Sequence, residues 1–416
     1  MYRYVLVWLL LAGLICARPD GVRFLRWSDV QALAVEIKDV DKWDDWIRER
    51  DFTIRGRIDH GIEDSISELI LFGTSFPGPP KLTSAAAAVN AAGDLTANAR
   101  ARVDAFIQGL DQLDTDRFRL FLDFLRKRKI TQEELPAFLS GSLRRFALEE
   151  IGLPKNQARA DVGISPETSL LINFAVDDAL RSLKASGTLP ARIRRVAVIG
   201  PGLDLAGDPE VYDNEPPQSI QPFAVLESVL RLGGQPGDVQ VAALDMNPFV
   251  IAHLKSVASK ARSGQRATLQ LPRPTSGWNS AAIAYWQRFG EVIGSVEPTT
   301  ALAPPGFDLR AIEVKPQIAA RITVEDVDVV AQTLEVGTDH GFDLVVATNV
   351  FGYYNHLEQS LALTSIARMM STGGVLLTNG IKVPVKIAEL ENLGSRHVAF
   401  TENGASGDDI LMLRHR

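Results

Sequence analysis

The residues best suited to chemistry follow an apolar run in the second half of the chain. The run Arg195–Ile199 is rich in β-branched residues and leads directly into Gly200-Pro201-Gly202. Such a run ending in glycines is typical of a buried parallel strand followed by a ligand-binding loop. Glycine suits the loop because a Cβ atom would obstruct both the sharp turn and the approach of a ligand. The pattern predicts a nucleotide-binding loop at residues 200–202.

Further side chains that could contact a ligand follow the predicted strand ends. They are Asp204, Asp245, Met246, Asp326, Asp328 and Asn349. Ligands of open α/β sheets bind beyond the carboxyl ends of the strands, so we expect these side chains to share one edge. Asp245 ends the second predicted strand, where a carboxylate can accept hydrogen bonds from both ribose hydroxyls. The alternative is that Asp245 caps the helix that begins at Pro248, through free backbone N–H groups.

Three side chains after the fourth predicted strand are candidates for catalysis. Tyr353 or Tyr354 could stack on a substrate or orient a nucleophile, and the alternative is packing at the start of a helix. His356 could act as a general base, and the alternative is an exposed loop histidine. No metal site is predicted, because the six histidines are scattered and Cys16 is the only cysteine.

Strands alternate with helices from about residue 193 onward, which predicts an α/β fold with a doubly wound, mainly parallel, Rossmann-like sheet. The predicted strands are 195–199, 240–245, 321–328, 342–349 and 374–379. Residues 397–400 and 409–414 predict a C-terminal antiparallel hairpin that closes the sheet. Residues 22–190 show only helical patterns, so an all-helical N-terminal domain is expected before the sheet.

The length of the chain favours two domains. We predict a helical domain at 22–160 and an α/β domain at 165–416. The α/β domain holds two insertions, near 204–218 and 264–318. Long loops above a rigid sheet often carry function, so we expect these insertions to supply walls of a substrate site.

The order of the motifs resembles the class I S-adenosylmethionine-dependent methyltransferases over residues 165–416. Gly200-Pro201-Gly202 is similar to the glycine loop of that family, and Asp245 matches its second-strand acid. Either Asp326 or Asp328 matches the third-strand acid, which lies beside the adenine in the family. The resemblance implies that the α/β domain binds S-adenosylmethionine.

The segment 342–354 is similar to the fourth motif of the family. It looks closest to the chemotaxis-receptor methyltransferases, in which an Asn-Val pair leads to an aromatic residue. The chain departs from the family at Asp204, where the family has a third glycine. The resemblance implies methyl transfer from S-adenosylmethionine, without a metal, to an acceptor that the sequence does not identify. It implies cofactor contacts at Gly200, Gly202, Asp204, Asp245, Met246, Asp326, Asp328 and Asn349.

Two other functions compete with methyl transfer. The first is a non-catalytic binding protein that keeps the fold, because class I transfer depends on proximity and alignment and needs no universal catalytic residue. The second is an NAD(P)-binding Rossmann protein. That fold requires a third glycine where this chain has Leu205, and an acid about 20 residues further on, which is missing.

The charge and the N-terminal residues bear on partners and location. A formal net charge of -7 argues against a protein that grips nucleic acid by its phosphates. Residues 1–17 resemble a secretory signal or membrane anchor, with one basic residue, an apolar core and a small residue before a polar break. We therefore expect an exported or membrane-anchored protein that meets a membrane only through this segment. The alternatives are a lipoprotein attached through Cys16 and, where the start site is misassigned or the anchor leaves the domain inside, a cytoplasmic protein.

Overall fold

The structure is a computed structural model. It describes residues 21–33, 39–73, 76–110, 116–152, 163–205, 218–272, 277–298, 309–337, 340–382 and 389–416. The helices are α1 (Trp27–Val30), α2 (Trp43–Phe72), α3 (Ala97–Gly109), α4 (Asp116–Lys127), α5 (Leu135–Gly152), α6 (Ile172–Ala185), α7 (Gln221–Arg231), α8 (Pro248–Arg262), α9 (Ser280–Arg288), α10 (Pro316–Ala319) and α11 (His356–Met369). The predicted signal or anchor at 1–17, with Cys16, lies outside the described residues, as does most of the first insertion.

The strands form one large sheet and three small ones. They are β1 (Val22–Phe24), β2 (Glu167–Ser169), β3 (Arg195–Ile199), β4 (Leu203–Leu205), β5 (Gln240–Asp245), β6 (Ala267–Pro272), β7 (Gly294–Pro298), β8 (Leu309–Val314), β9 (Ile322–Asp326), β10 (Gln332–Leu334), β11 (Phe342–Ala347), β12 (Met370–Thr378), β13 (Leu390–Ala399) and β14 (Gly407–His415). The large sheet has the order β13-β14-β12-β11-β3-β5-β9.

The large sheet confirms the predicted fold class. Val196 of β3 pairs in parallel with Leu344 of β11, and β5, β9 and β12 extend the same parallel ladder. β14 pairs antiparallel with both β12 and β13, so β13 runs in the same direction as the parallel strands. The predicted C-terminal hairpin is therefore present, and it places one reversed strand inside the sheet.

Both faces of the sheet are covered, as the continuous apolar strands predict. Along β3, Ala197 and Ile199 pack into one core with the N-terminal helices and α11, whereas Val196 and Val198 pack into a second core with α6 and α7. This alternation follows the two-residue period of a strand. The N-terminal helical region therefore shares a continuous core with one face of the sheet.

Two short strands correct the prediction that residues 22–190 are only helical. β1 pairs antiparallel with β10, and β2 pairs in parallel with β4, directly after the glycine loop. Each strand is three residues long, which is too short to show the alternating pattern by which strands are recognised in a sequence. Their positions depend on partner strands that are distant in the chain.

The segment 163–168 reaches the sheet by crossing α2 at Gly61. The backbone N–H of Ile164 donates to the Arg57 carbonyl oxygen at 2.9 Å. A Cβ atom on Gly61 would lie 1.9 Å from the Ile164 carbonyl oxygen, and one on Gly163 would lie 2.3 Å from the Gly61 nitrogen. Both glycines therefore permit direct contact between two backbones, and this contact directs residues 164–168 to the carboxyl edge of the sheet.

The described residues of the second insertion form a small subdomain beside the sheet. β6, β8 and β7 form an antiparallel sheet, and α9 packs its aromatic residues Tyr285 and Trp286 into the second core. Both side chains are buried. The aromatic residues of this insertion therefore stabilise the packing of α9.

Candidate functional site

A pocket opens at the carboxyl edge of β3, β5 and β11. It holds about 590 Å³ of space between atoms, counting the part open to solvent. Its walls come from the glycine loop, the end of β5, the turn after β9, the turn after β11, the segment 164–168 and Ile58 of α2. None of the described residues of the second insertion lines it, and the substrate wall expected from this insertion stays a prediction.

The glycine loop lines the pocket with a left-handed backbone. Gly200 has a backbone φ of 59° and Gly202 one of 61°, values that residues with a Cβ atom rarely adopt. A Cβ atom on Gly200 would lie 2.6 Å from Cγ2 of Val350, and one on Gly202 would lie 3.1 Å from Cβ of Thr168. The loop thus requires glycine both for its turn and because its neighbours pack directly against it.

Asp245 lies in the pocket wall with its carboxylate almost wholly buried. One oxygen accepts the Asn247 backbone N–H at 2.8 Å, the other has a long contact of 3.5 Å to the Gly202 N–H, and the Met246 backbone N–H also donates to the carboxylate. Burial raises the pKa of Asp245 to about 6, although these N–H groups act to lower it. The carboxylate therefore retains hydrogen-bonding capacity for a ligand at its second oxygen.

The cap of α8 is Asn247 and not Asp245. The Asn247 side chain accepts the Phe249 backbone N–H at 2.9 Å, and Pro248 occupies the first turn. The Asp245 carboxylate instead accepts a hydrogen bond from the backbone N–H of Asn247, the capping residue itself. Capping of α8 therefore does not require the Asp245 side chain directly.

The two predicted third-strand acids lie outside the pocket wall. Asp326 pairs with Asp245 across β5 and β9, and its half-exposed carboxylate forms an ion pair of 2.7 Å with Arg55 of α2. Asp328 is fully buried and accepts the Val330 backbone N–H at 2.9 Å, and burial raises its pKa to about 7. The residues beside Asp328, Val327 and Val329, line the pocket instead and give it an apolar wall.

Asp204 is also buried away from the pocket. Its carboxylate accepts the Ile220 backbone N–H, just before α7, and the Asn173 side-chain amide of α6 at 3.3 Å. These bonds join β4 to α6 and to the residue that precedes α7. The structure therefore gives Asp204 a role in packing, whereas Met246 lies in the pocket wall.

The residues after β11 divide between pocket and surface. Asn349, Tyr353 and Tyr354 line the pocket, and burial raises the pKa of Tyr354 well above its usual range. His356 begins α11, is exposed and does not line the pocket. Of the three candidates for catalysis, the structure brings the two tyrosines to the pocket and leaves His356 outside it.

Sequence patterns did not predict the contribution of α2 and of the segment 164–168. Ile58 lines the pocket, and the Arg57 guanidinium donates to the Tyr353 carbonyl oxygen. The Arg55 guanidinium donates to the carboxylate of Asp326 at the end of β9. Gly61 within a long helical pattern is a signal that could have indicated a close backbone crossing. Residues 55–58 of α2 therefore contact the end of β9, the turn after β11 and the segment 164–168.

The described part of the chain gives no support for a metal or a membrane span. No group of three or more His, Cys, Asp or Glu in it could hold a metal ion. Among the helices that the structure describes, none combines the length and the apolar character needed to cross a membrane.

No family model and no curated protein sequence matches the chain. Similar solved structures include the N-methyltransferase NodS from Bradyrhizobium japonicum WM9, with 11% identity and a TM-score of 0.29 over 58% of this chain and 94% of NodS. Another is magnesium protoporphyrin IX methyltransferase from Synechocystis PCC 6803 with bound SAM, with 13% identity and a TM-score of 0.27 over 59% of this chain and 81% of that one. A third is a TehB-like SAM-dependent methyltransferase from Corynebacterium glutamicum, with 14% identity and a TM-score of 0.27 over 59% and 98% of the two chains. At these values the likeness establishes no activity for this chain.

Proposed function

We propose that the protein binds S-adenosylmethionine in this pocket and transfers its methyl group to an acceptor. The observation that carries the proposal is the buried Asp245 carboxylate beside the Gly200 and Gly202 turn, at the carboxyl edge of adjacent parallel strands. A ribose hydroxyl could donate to the carboxylate oxygen that lies 3.5 Å from the Gly202 N–H, because each carboxylate oxygen accepts more than one hydrogen bond. Met246, with the apolar turn after β9, suits an adenine ring.

The residues present can hold the donor and exclude water without a dedicated acid or base. When bound, S-adenosylmethionine supplies a methyl group on a sulfonium sulfur. Ile58, Ile164 and Val350 give the pocket apolar walls, which would keep water from the reacting atoms. Tyr353 and Tyr354 lie in the same wall, where they can orient an acceptor. Alignment of donor and acceptor then supplies much of the rate.

The strand order favours this proposal over a dinucleotide-binding protein. A dinucleotide fold is built from two parallel halves in the order 3-2-1-4-5-6. Here the reversed strand β14 lies between β12 and β13. A dinucleotide loop would have its third glycine at Leu205, a position that lies in the short strand β4. A non-catalytic S-adenosyl-binding protein is the alternative that shares every feature of the pocket.

Calorimetry on the full chain tests the proposal. We expect saturable one-to-one binding of S-adenosylmethionine and S-adenosylhomocysteine, and no binding of NAD. Binding of NAD in place of the S-adenosyl compounds, or of neither, would overturn the proposal. Binding without methyl transfer to any of a panel of amine, hydroxyl and carboxylate acceptors would favour the non-catalytic alternative.

We further propose, from the sequence, that segment 342–354 is related to the chemotaxis-receptor methyltransferases. The proposed acceptor is a protein or a small molecule, and no nucleic-acid partner is expected.

The segment 1–17 is proposed to direct export or membrane attachment, because it has the composition of a signal. We expect mass spectrometry of the protein from its native host to show removal of this segment or its retention in a membrane fraction. A soluble cytosolic protein that begins at Met1 would contradict the proposal.

A further inference from the structure

A chain of side chains runs from the C-terminal hairpin into the pocket. The Asn379 amide nitrogen donates to Asp408 Oδ1 and to Asn349 Oδ1, both at 2.9 Å. Asn379 Oδ1 accepts the Asn349 backbone N–H at 2.6 Å. Asn349 Nδ2 in turn donates to Thr168 Oγ1 at 3.1 Å. Asn349 has φ 60°, which is uncommon for a residue other than glycine and indicates a backbone held in place by its partners.

Asp408 and the Asn349 backbone N–H together fix the direction of the hydrogen bonds in this chain, because the first only accepts from Asn379 and the second only donates to it. Asp408 Oδ1 also accepts the Asp409 backbone N–H at 3.1 Å, so this oxygen acts as an acceptor. Asn379 must therefore present its nitrogen to Asp408, and its oxygen is left to accept the Asn349 N–H. This arrangement commits Asn349 Oδ1 as an acceptor and turns Asn349 Nδ2 toward Thr168 and the pocket.

The result is a wall that offers hydrogen-bond donors. Thr168 Oγ1 accepts from Asn349, and none of the described residues takes its hydroxyl hydrogen. Asn349 Nδ2 carries a second hydrogen beyond the one given to Thr168. Thr168 and Asn349 both line the pocket, and Thr168 packs against Gly202 of the glycine loop. The donors therefore lie at the loop end of the pocket, away from the apolar wall formed by Val327 and Val329.

We propose that Thr168 Oγ1 and Asn349 Nδ2 bind the carboxylate of the amino-acid part of an S-adenosyl compound, and that Asp408 acts through Asn379 as a positioning residue for this pair. The inference rests on the proposed function. Two donors match a carboxylate, which only accepts hydrogen bonds. Glu167, the residue before Thr168 in β2, also lines the pocket.

Two ligands separate the donor pair from the rest of the site. S-adenosylhomocysteine carries the amino-acid part, and 5′-methylthioadenosine lacks it. Thr168→Val keeps the shape of the side chain, and it is expected to raise the dissociation constant for S-adenosylhomocysteine about tenfold. Binding of 5′-methylthioadenosine should stay within about twofold of the parent. Thr378→Val is the matched control, because the Thr378 hydroxyl donates to the Ala347 carbonyl at 2.7 Å and lies outside the pocket wall.

The same pair of ligands tests the positioning role. Asp408→Ala removes one of the two groups that orient the Asn379 amide, and we expect a smaller loss of S-adenosylhomocysteine binding with the same selectivity. Asp408→Asn retains an acceptor oxygen and should restore it. A Thr168→Val protein that binds both ligands as the parent does, or that weakens for both equally, overturns the donor pair. A parent protein that binds neither ligand overturns the proposed function and the donor pair with it.

Discussion

Gly61→Ala is expected to destabilise the protein by about 3 kcal/mol, the upper end of the range typical of overpacked core substitutions. The added Cβ atom would lie 1.9 Å from the Ile164 carbonyl oxygen. That oxygen belongs to the backbone and cannot rotate away, so either α2 or the segment 163–168 must move. The hydrogen bond from the Ile164 N–H to the Arg57 carbonyl would be lost with it. Because Ile164 and Thr168 line the pocket, ligand affinity should fall as well.

Gly56→Ala on the same helix is the matched control. Nothing lies within 4 Å of a Cβ atom at Gly56, so the substitution adds no contact. Alanine is favoured over glycine within a helix by about 1 kcal/mol, so this variant should be slightly more stable than the parent. Urea unfolding followed by circular dichroism would measure both variants. An equal gain in stability for the two alanine variants would show that the crossing at Gly61 does not exist.

Local patterns were sufficient for the parts of the fold that are buried and regular. Residues 196–199 form a continuous apolar run that is followed by Gly200. A run of this kind is typical of a central parallel strand. The same reasoning placed Asp245 at a strand end and Asn247 and Pro248 at the start of α8. These predictions depend on neighbours in the chain, which a sequence displays directly.

The remaining walls of the pocket depend on contacts between residues far apart in the chain. Ile58 lines the pocket because α2 crosses the segment 163–168. The pattern of apolar residues in either stretch does not indicate that crossing. The sequence likewise could not show that neither Asp326 nor Asp328 lines the pocket. Arg55 pairs with Asp326, and burial beneath α2 and α11 removes Asp328 from the pocket wall. A sequence shows the acids, whereas the packing of α2 decides what each one faces.

Asp245→Asn is expected to weaken binding of S-adenosylhomocysteine by about 2 kcal/mol, roughly 30-fold, because a charged acceptor for the ribose is lost. The same variant should unfold at higher urea concentration than the parent at pH 7.5 when no ligand is present. The asparagine oxygen can still accept the Asn247 N–H, so the local turn is retained. A loss of affinity together with a gain in stability would mean that Asp245 contributes to ligand binding and not to folding.

The direction of the stability change follows from the raised pKa of Asp245. The pKa is about 6 in the folded protein and 3.8 as the ordinary value, so the folded state holds its proton more tightly. The parent therefore loses stability as the pH rises from about 4 to about 6, by about 3 kcal/mol for a shift of this size. The asparagine variant cannot ionise and escapes this loss. The difference in unfolding free energy between the two proteins should be small at pH 4 and largest above pH 6.

Asp328→Asn separates the cost of a buried charge from the binding of a ligand. Asp328 is fully buried with a pKa of about 7, so its ionisation should destabilise the parent as the pH rises from about 4 to about 7. Its asparagine variant should gain stability at pH 7.5 as the Asp245 variant does. Because Asp328 does not line the pocket, affinity for S-adenosylhomocysteine should remain that of the parent. Equal losses of affinity in the two variants would mean that the ribose assignment of Asp245 is wrong, since a carboxylate outside the pocket would then matter as much as one within it.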